Sequence, residues 1–384
     1  MKKHDIIVII LVSVFVVTRV LRNSFFHANE NTGGIWNIIA IYFLLLFFYY
    51  CIKNFFIRKK IKKDQLIIYL YSIYILMVGI AQIFIYQNYS LVDIYKMLMI
   101  PFFIYIFIVC YYSKSNIYLV SKYYIKLFYV VTTLNIISFL LYTGKWISFV
   151  MVSNVYYSLC LFPYILISKY KKRILPSILM VTCLILSNKR AGVVAFFLGI
   201  LFYWILTKRK LTKTNLKYLV VVITVIITTY IFFNENIAEM KIFKRMTVAQ
   251  IAKDKGSNRL DIYSTILKSY KNLSIEQKLF GTSKENIEKN TGHDNVHNDF
   301  LEILYTKGIF GFCLFISVYI YYIAIFLKML IKNYTLKAVY IFILIINIIL
   351  SMLSVYFIDF GYSIIGASLM GYLISDFKCK KKES

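Results

Sequence analysis

Long apolar runs recur along the chain, separated by short polar intervals. The runs occupy residues 6–21, 35–53, 66–86, 97–112, 123–142, 148–168, 174–188, 191–206, 217–233, 308–327, 338–358 and 361–376. A helix crosses a bilayer in about 20 residues, and exposed backbone is not tolerated in lipid. Because the runs are continuous rather than alternating, they predict helices and not barrel strands. We predict an all-α, polytopic integral membrane protein of about 12 transmembrane helices, forming a single domain over residues 1–384.

One polar interval, residues 234–307 between the ninth and tenth spans, is much longer than the others. It contains ten of the chain's 17 acidic residues together with twelve Lys and Arg, so its charge is nearly balanced. Within it, "NRLDIYSTILKSYKNL" has apolar residues at helical spacing, which predicts an amphipathic helix lying at the membrane surface. The residues of that stripe are Leu260, Ile262, Tyr263, Ile266, Leu267 and Tyr270.

Composition agrees with a membrane protein, since 60% of residues are hydrophobic and the mean hydropathy is +0.70. The net charge of +28 raises the question of nucleic acid. The basic residues, however, cluster at the ends of apolar runs and in alternate loops, as the positive-inside rule requires. We therefore expect no nucleic-acid partner, both termini on the cytoplasmic side, and an extracytoplasmic loop at 234–307.

Candidate chemistry concentrates in "GHDNVHNDFLEILYTKGIFGF", residues 292–312. His293 and His297 have the H-x-x-x-H spacing of helical metal ligands, but no glutamate follows the first histidine and no third ligand stands out, so we predict no metal. The spacing leaves two readings of His297 open, a general base and a plain surface histidine. We expect Asp294 or Asn295 to cap the tenth span.

A second polar stretch, "LSNKRAG" at 186–192, precedes the eighth span, with Ser187 as its expected cap. The N–H groups at a helix N-terminus favour an anion such as phosphate, and Lys189 and Arg190 would add positive charge there. Arg190 has an alternative role, because basic residues at helix ends often reach toward lipid headgroups. Arg259, in the long loop, is by its sequence context either a solvated cation or a partner of Asp261.

The residues from His297 to Phe312, "HNDFLEILYTKGIFGF", resemble the signature H-N-x-x-L-x-x-x-x-x-x-G-x-x-G of the bacterial O-antigen polymerase and O-antigen ligase superfamily. The five residues in register are His297, Asn298, Leu301, Gly308 and Gly311.

Three upstream stretches add to this resemblance. "LSNKRAG" is similar to the family's L-T-G-S-R-G-A, with Arg190 at its arginine and Lys189 in place of its serine. "SNRLDIY" resembles S-x-R-x-x-x-W, with Arg259 in place and Tyr263 for the tryptophan. "LFGTS" at 279–283 resembles L-x-G-x-G, with Ser283 departing from the second glycine. Together the motifs cover roughly residues 174–330.

The resemblance implies an inverting, metal-independent glycan transferase of the bacterial inner membrane that needs no cofactor and uses a glycan on undecaprenyl pyrophosphate as donor. By this resemblance His297 is the general base, and Arg190, Arg259 and Lys189 bind the pyrophosphate. Candidates for orienting His297 or binding sugar are His293, Asn298, Asp299 and Tyr263. The implied partners are the lipid-linked oligosaccharide, the bilayer, a chain-length regulator and a flippase.

Three functions remain in competition. We favour a repeat-unit polymerase for O-antigen, capsule or exopolysaccharide, which moves a chain onto another lipid-linked unit. A ligase that transfers the chain to lipid A core needs the same donor chemistry. A flippase of lipid-linked oligosaccharides belongs to a different class, and it should carry ionisable residues near the centres of its spans.

Overall fold

The computed structural model describes residues 3–25, 66–86, 117–141, 153–167, 173–187, 189–207, 258–357 and 360–383. Over these ranges the secondary structure is helical. The helices are α1 Lys3–Phe25, α2 Leu66–Tyr86, α3 Ile117–Leu141, α4 Val155–Ile167, α5 Ile174–Ser187, α6 Arg190–Thr207, α7 Arg259–Lys271, α8 Ile275–Phe280, α9 Glu285–Thr291, α10 Asp299–Ile331, α11 Lys337–Leu353 and α12 Phe360–Glu383. The predicted spans 35–53, 97–112 and 217–233, and residues 234–257 of the predicted long loop, lie outside the described residues.

The remaining nine predicted spans coincide with helices. Among the described residues, α3, α6 and α10 are long and apolar enough to cross a bilayer, and four further apolar helices are shorter. Their surfaces carry large apolar side chains, such as Phe84, which is 80% exposed, as expected where lipid replaces water. The protein is a helical membrane protein, which confirms the all-α prediction at this level.

Contacts near the helix termini show how the described helices run relative to one another. At one end of the bundle, Asn154, just before α4, accepts a hydrogen bond from Asn23 of α1 at 3.0 Å and donates one to Ser24 at 3.0 Å. At the opposite end, Arg173 before α5 donates to Tyr203 of α6 at 2.9 Å and to the Leu166 carbonyl of α4 at 3.3 Å. The directions of these helices alternate as the predicted spans require.

Helix α10 is broken at Gly308, whose φ of 67° and ψ of −174° are not helical. The break frees three carbonyl groups, and each receives a hydrogen bond from another part of the chain. The Thr282 N–H donates to Tyr305 O at 3.1 Å, Gln82 Nε2 to Thr306 O at 2.7 Å, and the Tyr74 hydroxyl to Lys307 O at 2.8 Å. The kink is therefore a fully bonded feature of the fold, since buried carbonyls are costly when unpaired.

Two glycines allow the backbone after α8 to cross this kink at close range. A Cβ at Gly281, where φ is 89°, would lie 2.2 Å from Thr306 O, and a Cβ at Gly308 would lie 2.2 Å from Leu279 O. Only glycine permits both the backbone conformation and this approach. Gly281 of "LFGTS" and Gly308 of the tenth span thus both allow the same close contact between two backbone segments.

Several helix ends differ from the limits of the predicted spans. The tenth helix begins at Asp299 and not at 308, because residues 299–307 form a polar helix that joins the apolar segment at the kink. The eleventh span ends at Leu353 and not at 358, because Ser354 is extended, with φ −159° and ψ −160°.

The segment from Asn258 to Lys307, here called the cap segment, has its own small apolar core. Ile262 and Ile266 of α7 pack with Ile287 of α9, Val296 and Tyr305. The predicted amphipathic helix is confirmed as α7, but its most buried apolar residues face this core. Leu260 and Leu267 of the same predicted stripe are exposed.

Candidate functional site

His297 lies at the entrance to α10 in a segment held by hydrogen bonds on both sides. Its φ is 55°, a left-handed conformation that histidine adopts more readily than most residues. The His297 N–H donates to Asn295 Oδ1 at 3.2 Å, and the carbonyl of His297 accepts from the Tyr263 hydroxyl at 3.2 Å. The preceding Val296 N–H donates to the buried Glu302 carboxylate at 3.0 Å. The backbone of this residue is therefore fixed before any ligand arrives.

The N-cap of α10 is Asn298, whose side chain accepts a hydrogen bond from the Leu301 N–H at 3.1 Å. The prediction of Asp294 or Asn295 as the cap is wrong, because the helix begins several residues later and Asn295 instead binds the His297 N–H. Asn298, predicted as a sugar-binding or orienting residue, thus has its side-chain oxygen engaged at the helix entrance.

Helix α7 is tied to the end of α11 by two side chains. Arg259, its first residue, donates from Nη1 to the carbonyl of Leu353. The Tyr263 hydroxyl, besides its bond to His297, lies 3.4 Å from the Met352 carbonyl. Consecutive carbonyls of α11 therefore bind the arginine and the tyrosine that contacts His297. This arrangement brings Arg259 and His297, two of the predicted site residues, into one neighbourhood.

Asp299 is fully buried, and its carboxylate binds the backbone that follows α11. It accepts from the Phe357 N–H at 2.8 Å and from the Tyr356 N–H at 3.1 Å. These contacts join the start of α10 to the segment after Leu353. The Asp299 carboxylate thus holds the start of α10, next to His297, against the segment that follows α11.

The start of α6 lies at the same end of the bundle. The charge of Lys189, the residue before α6, acts on His297, and Arg190 is the first residue of the helix. Gly192, in the first turn of α6, lies close to Tyr156 of α4, since a Cβ at this glycine would be 3.4 Å from the tyrosine ring. The positive charge of Arg259 acts on the hydroxyl of the same tyrosine. The start of α6, with Arg190 as its first residue, therefore lies at the same end of the bundle as Arg259 and His297.

Ser187 is the last residue of α5 and not the N-cap of α6, so that prediction is corrected. Its hydroxyl donates to the Leu184 carbonyl at 2.9 Å and accepts from the Lys189 N–H at 3.4 Å. The Ser187 hydroxyl, which belongs to α5, thus stabilises the turn between α5 and α6.

The surroundings of His297 favour its neutral form. Burial, followed by the positive charges of Arg259, Lys189 and His293, lowers the pKa of His297 from 6.5 to about 4, while the Asp294 carboxylate acts in the opposite direction. A neutral imidazole at physiological pH has a lone pair available to accept a proton. The same cations form a positive field suited to a di-anionic group.

His293 and Asp294 are exposed at the rim of this cluster. In the part of the chain that the structure describes, no group of three or more His, Cys, Asp or Glu side chains is arranged to hold a metal ion. The cations Arg259 and Lys189, and the helix N-termini at α6 and α10, are groups that can stabilise negative charge here.

The residues that support the site from distant helices were not predicted from the sequence. Tyr74 and Gln82 of α2 bind the kink of α10, and the ring of Tyr156 of α4 lies next to Gly192 in the first turn of α6. Gln82 also accepts a hydrogen bond from the buried Lys307 Nζ at 2.6 Å. A lone glutamine in an apolar span was the only available signal, and it does not identify its partner.

Residues 175–316 match the family model described as O-antigen ligase, Wzy_C. The matched segment contains α6, the cap segment and the kink of α10, and this match confirms the resemblance carried by the motifs. No curated protein matches the chain.

Proposed function

We propose that the protein is a polysaccharide repeat-unit polymerase that transfers a glycan from undecaprenyl pyrophosphate to an acceptor sugar of another lipid-linked repeat unit. The reaction is inverting and independent of metal. The observation that carries the proposal is the clustering of Arg259, Lys189 and the neutral His297 at the end of the bundle where α6 and α10 begin. The reaction takes place at the extracytoplasmic face of the inner membrane, with both termini in the cytoplasm.

His297 is the general base in this proposal. Its imidazole takes the proton from the acceptor hydroxyl as that oxygen attacks the anomeric carbon of the donor. The fixed backbone of His297 limits the reorganisation needed at the moment of reaction. Tyr263 positions this residue by donating a hydrogen bond to the His297 carbonyl. Asp299 holds the adjacent start of α10 to the segment after α11. His293, exposed at the rim, is available to the acceptor sugar.

Arg259, Arg190 and Lys189 bind the pyrophosphate. Cleavage of the sugar–phosphate bond leaves negative charge on the departing diphosphate, which preorganised cations stabilise without a divalent metal. One N–H of Arg259 binds Leu353, and the planar guanidinium has further N–H donors for phosphate oxygens. Lys189 stands where the family pattern has serine, so this chain brings one more positive charge to the same place.

The distribution of ionisable residues favours an enzyme over a flippase. The buried charged residues of α10 that the structure describes, Asp299, Glu302 and Lys307, all precede the kink at Gly308. They lie at one end of the helix and not along its apolar length. A transporter is expected to have such groups along a path near the membrane centre.

The test uses purified protein in detergent with synthetic lipid-linked repeat units, with and without a chelator. We expect a glycan ladder in both conditions. Arg259→Ala and Arg190→Ala should each lower the rate by about 100-fold or more, as loss of a charge-stabilising donor does. Lys268→Ala, which removes an exposed cation of α7, is the matched control and should retain wild-type activity.

Two outcomes of this assay contradict the polymerase. Transfer to a lipid A core acceptor without a ladder identifies a ligase. Movement of the lipid-linked unit across a vesicle membrane without any glycan transfer identifies a flippase.

The pH dependence of the reaction should report the depressed pKa of His297. Because the neutral imidazole is the active form, activity is lost as the pH falls through the pKa. For kcat/KM, which reflects the free enzyme, we expect this decline near pH 4 and not near 6.5. In the donor complex, the diphosphate offsets the charges of Arg259 and Lys189, so the decline in kcat should occur at higher pH.

Histidine NMR provides the direct measurement, because the chain has only four histidines. The His297→Asn variant identifies the resonance by its loss. Arg259→Gln should raise the pKa of His297, since it removes the positive charge that lowers this pKa most. A wild-type resonance that titrates near 6.5 contradicts the burial and charge pattern on which the assignment rests.

A further inference from the structure

The cap segment carries an exposed apolar surface that its own core does not use. Ile275, the first residue of α8, is 76% exposed, and Phe280, its last residue, is 50% exposed. Phe280 contacts the ring of Phe310 in α10, with ring centroids 5.6 Å apart, and Phe310 is itself about half exposed. Ile275, Phe280 and Phe310 are here called the α8 ridge. Apolar groups of this size at a surface indicate a partner.

The depth of Phe310 follows from the length of α10. After the kink, residues 309–331 form 23 residues of helix, and Lys328 lies near its far end. At 1.5 Å per residue, this segment is about the length needed to cross a hydrocarbon core of roughly 30 Å. Phe310, in the first turn of the segment, therefore lies at the boundary of the hydrocarbon. Phe280 packs on its ring and must lie at a similar depth.

Phe310 of the α8 ridge follows Ile309, where the exposed apolar surface of α10 begins. Ile309, Ile320 and Leu327 are all exposed on that helix, in a protein whose spans face lipid. Lysines are also near α8. Lys278 belongs to the helix, and the Tyr270 hydroxyl donates to its carbonyl at 3.1 Å, which joins α8 to the end of α7 at Lys271. Aromatic and aliphatic side chains flanked by lysines are the composition of a segment that inserts shallowly into a bilayer.

We propose that α8 is a membrane-contact element of the cap segment, with Phe280 and Ile275 inserted among the lipid headgroups and first acyl carbons beside α10. The occupant of this surface is the lipid bilayer. The crossing of Gly281 and Gly308 fixes α8 to the kink, so insertion of α8 sets the position of the cap segment relative to the membrane. This proposal rests on the fold alone and does not depend on the reaction.

The experiment measures fluorescence quenching in lipid nanodiscs. The native tryptophans Trp36, Trp146 and Trp204 are replaced by phenylalanine, and single tryptophans are introduced as Phe280→Trp and Ile275→Trp in separate variants. Lipids carrying a quencher at the start or near the end of the acyl chain report depth. We expect the shallow quencher to lower the emission at both positions by about twofold, and more than the deep one.

Ile320→Trp, on the exposed face of α10, is the positive control and should respond most to the deep quencher. Glu288→Trp, exposed on α9, should respond to neither lipid quencher. The proposal is overturned if tryptophan at 280 and at 275 is unquenched while that at 320 responds. Emission that is blue-shifted but unquenched overturns it as well, since it shows cover by protein and not by lipid.

Discussion

The His297→Asn variant is expected to lose at least about 99% of glycan transfer while remaining folded, since a general base contributes roughly 100- to 10,000-fold. Asparagine tolerates the left-handed conformation that His297 adopts at φ 55°, so the backbone bonds to Asn295 and Tyr263 can persist. His297→Ala should show a similar loss, with added backbone strain of about 1–2 kcal/mol. The measurement is the initial rate of ladder formation with the synthetic lipid-linked unit.

His293→Ala is the matched control, because His293 is exposed at the rim and its backbone does not carry the left-handed conformation. We expect this variant to retain most of the wild-type kcat, with its effect confined to the KM for the acceptor. Donor binding provides a second readout, since His297→Asn should still bind undecaprenyl pyrophosphate through the cations. Full activity in His297→Asn removes the base from the proposed mechanism.

The positions of the apolar helices were predictable because burial in lipid leaves a continuous hydropathy signal. The beginning of α10 was missed for the same reason. Residues 299–307 contain Asp299, Glu302 and Lys307, whose charges end the apolar run in the sequence although all three side chains are buried. Their partners are backbone or side-chain atoms elsewhere in the fold, such as Gln82 Oε1 for Lys307. Hydropathy cannot reveal a partner more than 200 positions away.

The candidate site was likewise predictable from the sequence only in part. The order of the motifs indicated that Arg190, Arg259 and His297 belong together, and the structure brings Arg259 and Lys189 into electrostatic contact with His297. The contact that fixes Arg259 is with the carbonyl of Leu353. A backbone carbonyl is present at every residue, so no sequence pattern marks the one that binds the arginine. Apolar spacing predicted α7, and its stripe included the buried Ile262 and Ile266, but it could not indicate that they pack against the distant Ile287 and Val296.

Gly308→Ala is expected to destabilise the protein by about 3 kcal/mol or more. The combination of φ 67° and ψ −174° is essentially restricted to glycine, and strain of this kind alone costs about 1–3 kcal/mol. The added methyl group would also lie 2.2 Å from the Leu279 carbonyl oxygen, so the backbone after α8 would have to move. The measurement is the thermal unfolding midpoint of the purified protein in detergent.

Gly292→Ala tests how much of the stability lost in Gly308→Ala comes from backbone strain and how much from the clash with Leu279. Gly292 has φ 69°, but a Cβ there would have no neighbour within 4 Å, so only conformational strain of about 1 kcal/mol is expected. Equal effects at 292 and 308 would show that the close crossing does not contribute to stability.

Gly281→Ala supplies the final test, because its methyl group would meet Thr306 on the other side of the same crossing. If both glycines serve one contact, the loss in the Gly281→Ala and Gly308→Ala double variant should be much smaller than the sum of the two single losses. Once the first methyl group separates the two backbones, the second meets less resistance. The carbonyls of Tyr305, Thr306 and Lys307 would then lose their partners together, and the part of α10 that begins beside His297 would no longer be held at a fixed angle. Transfer activity should therefore fall in parallel with stability in these variants, whereas it should remain near the wild-type level in Gly292→Ala.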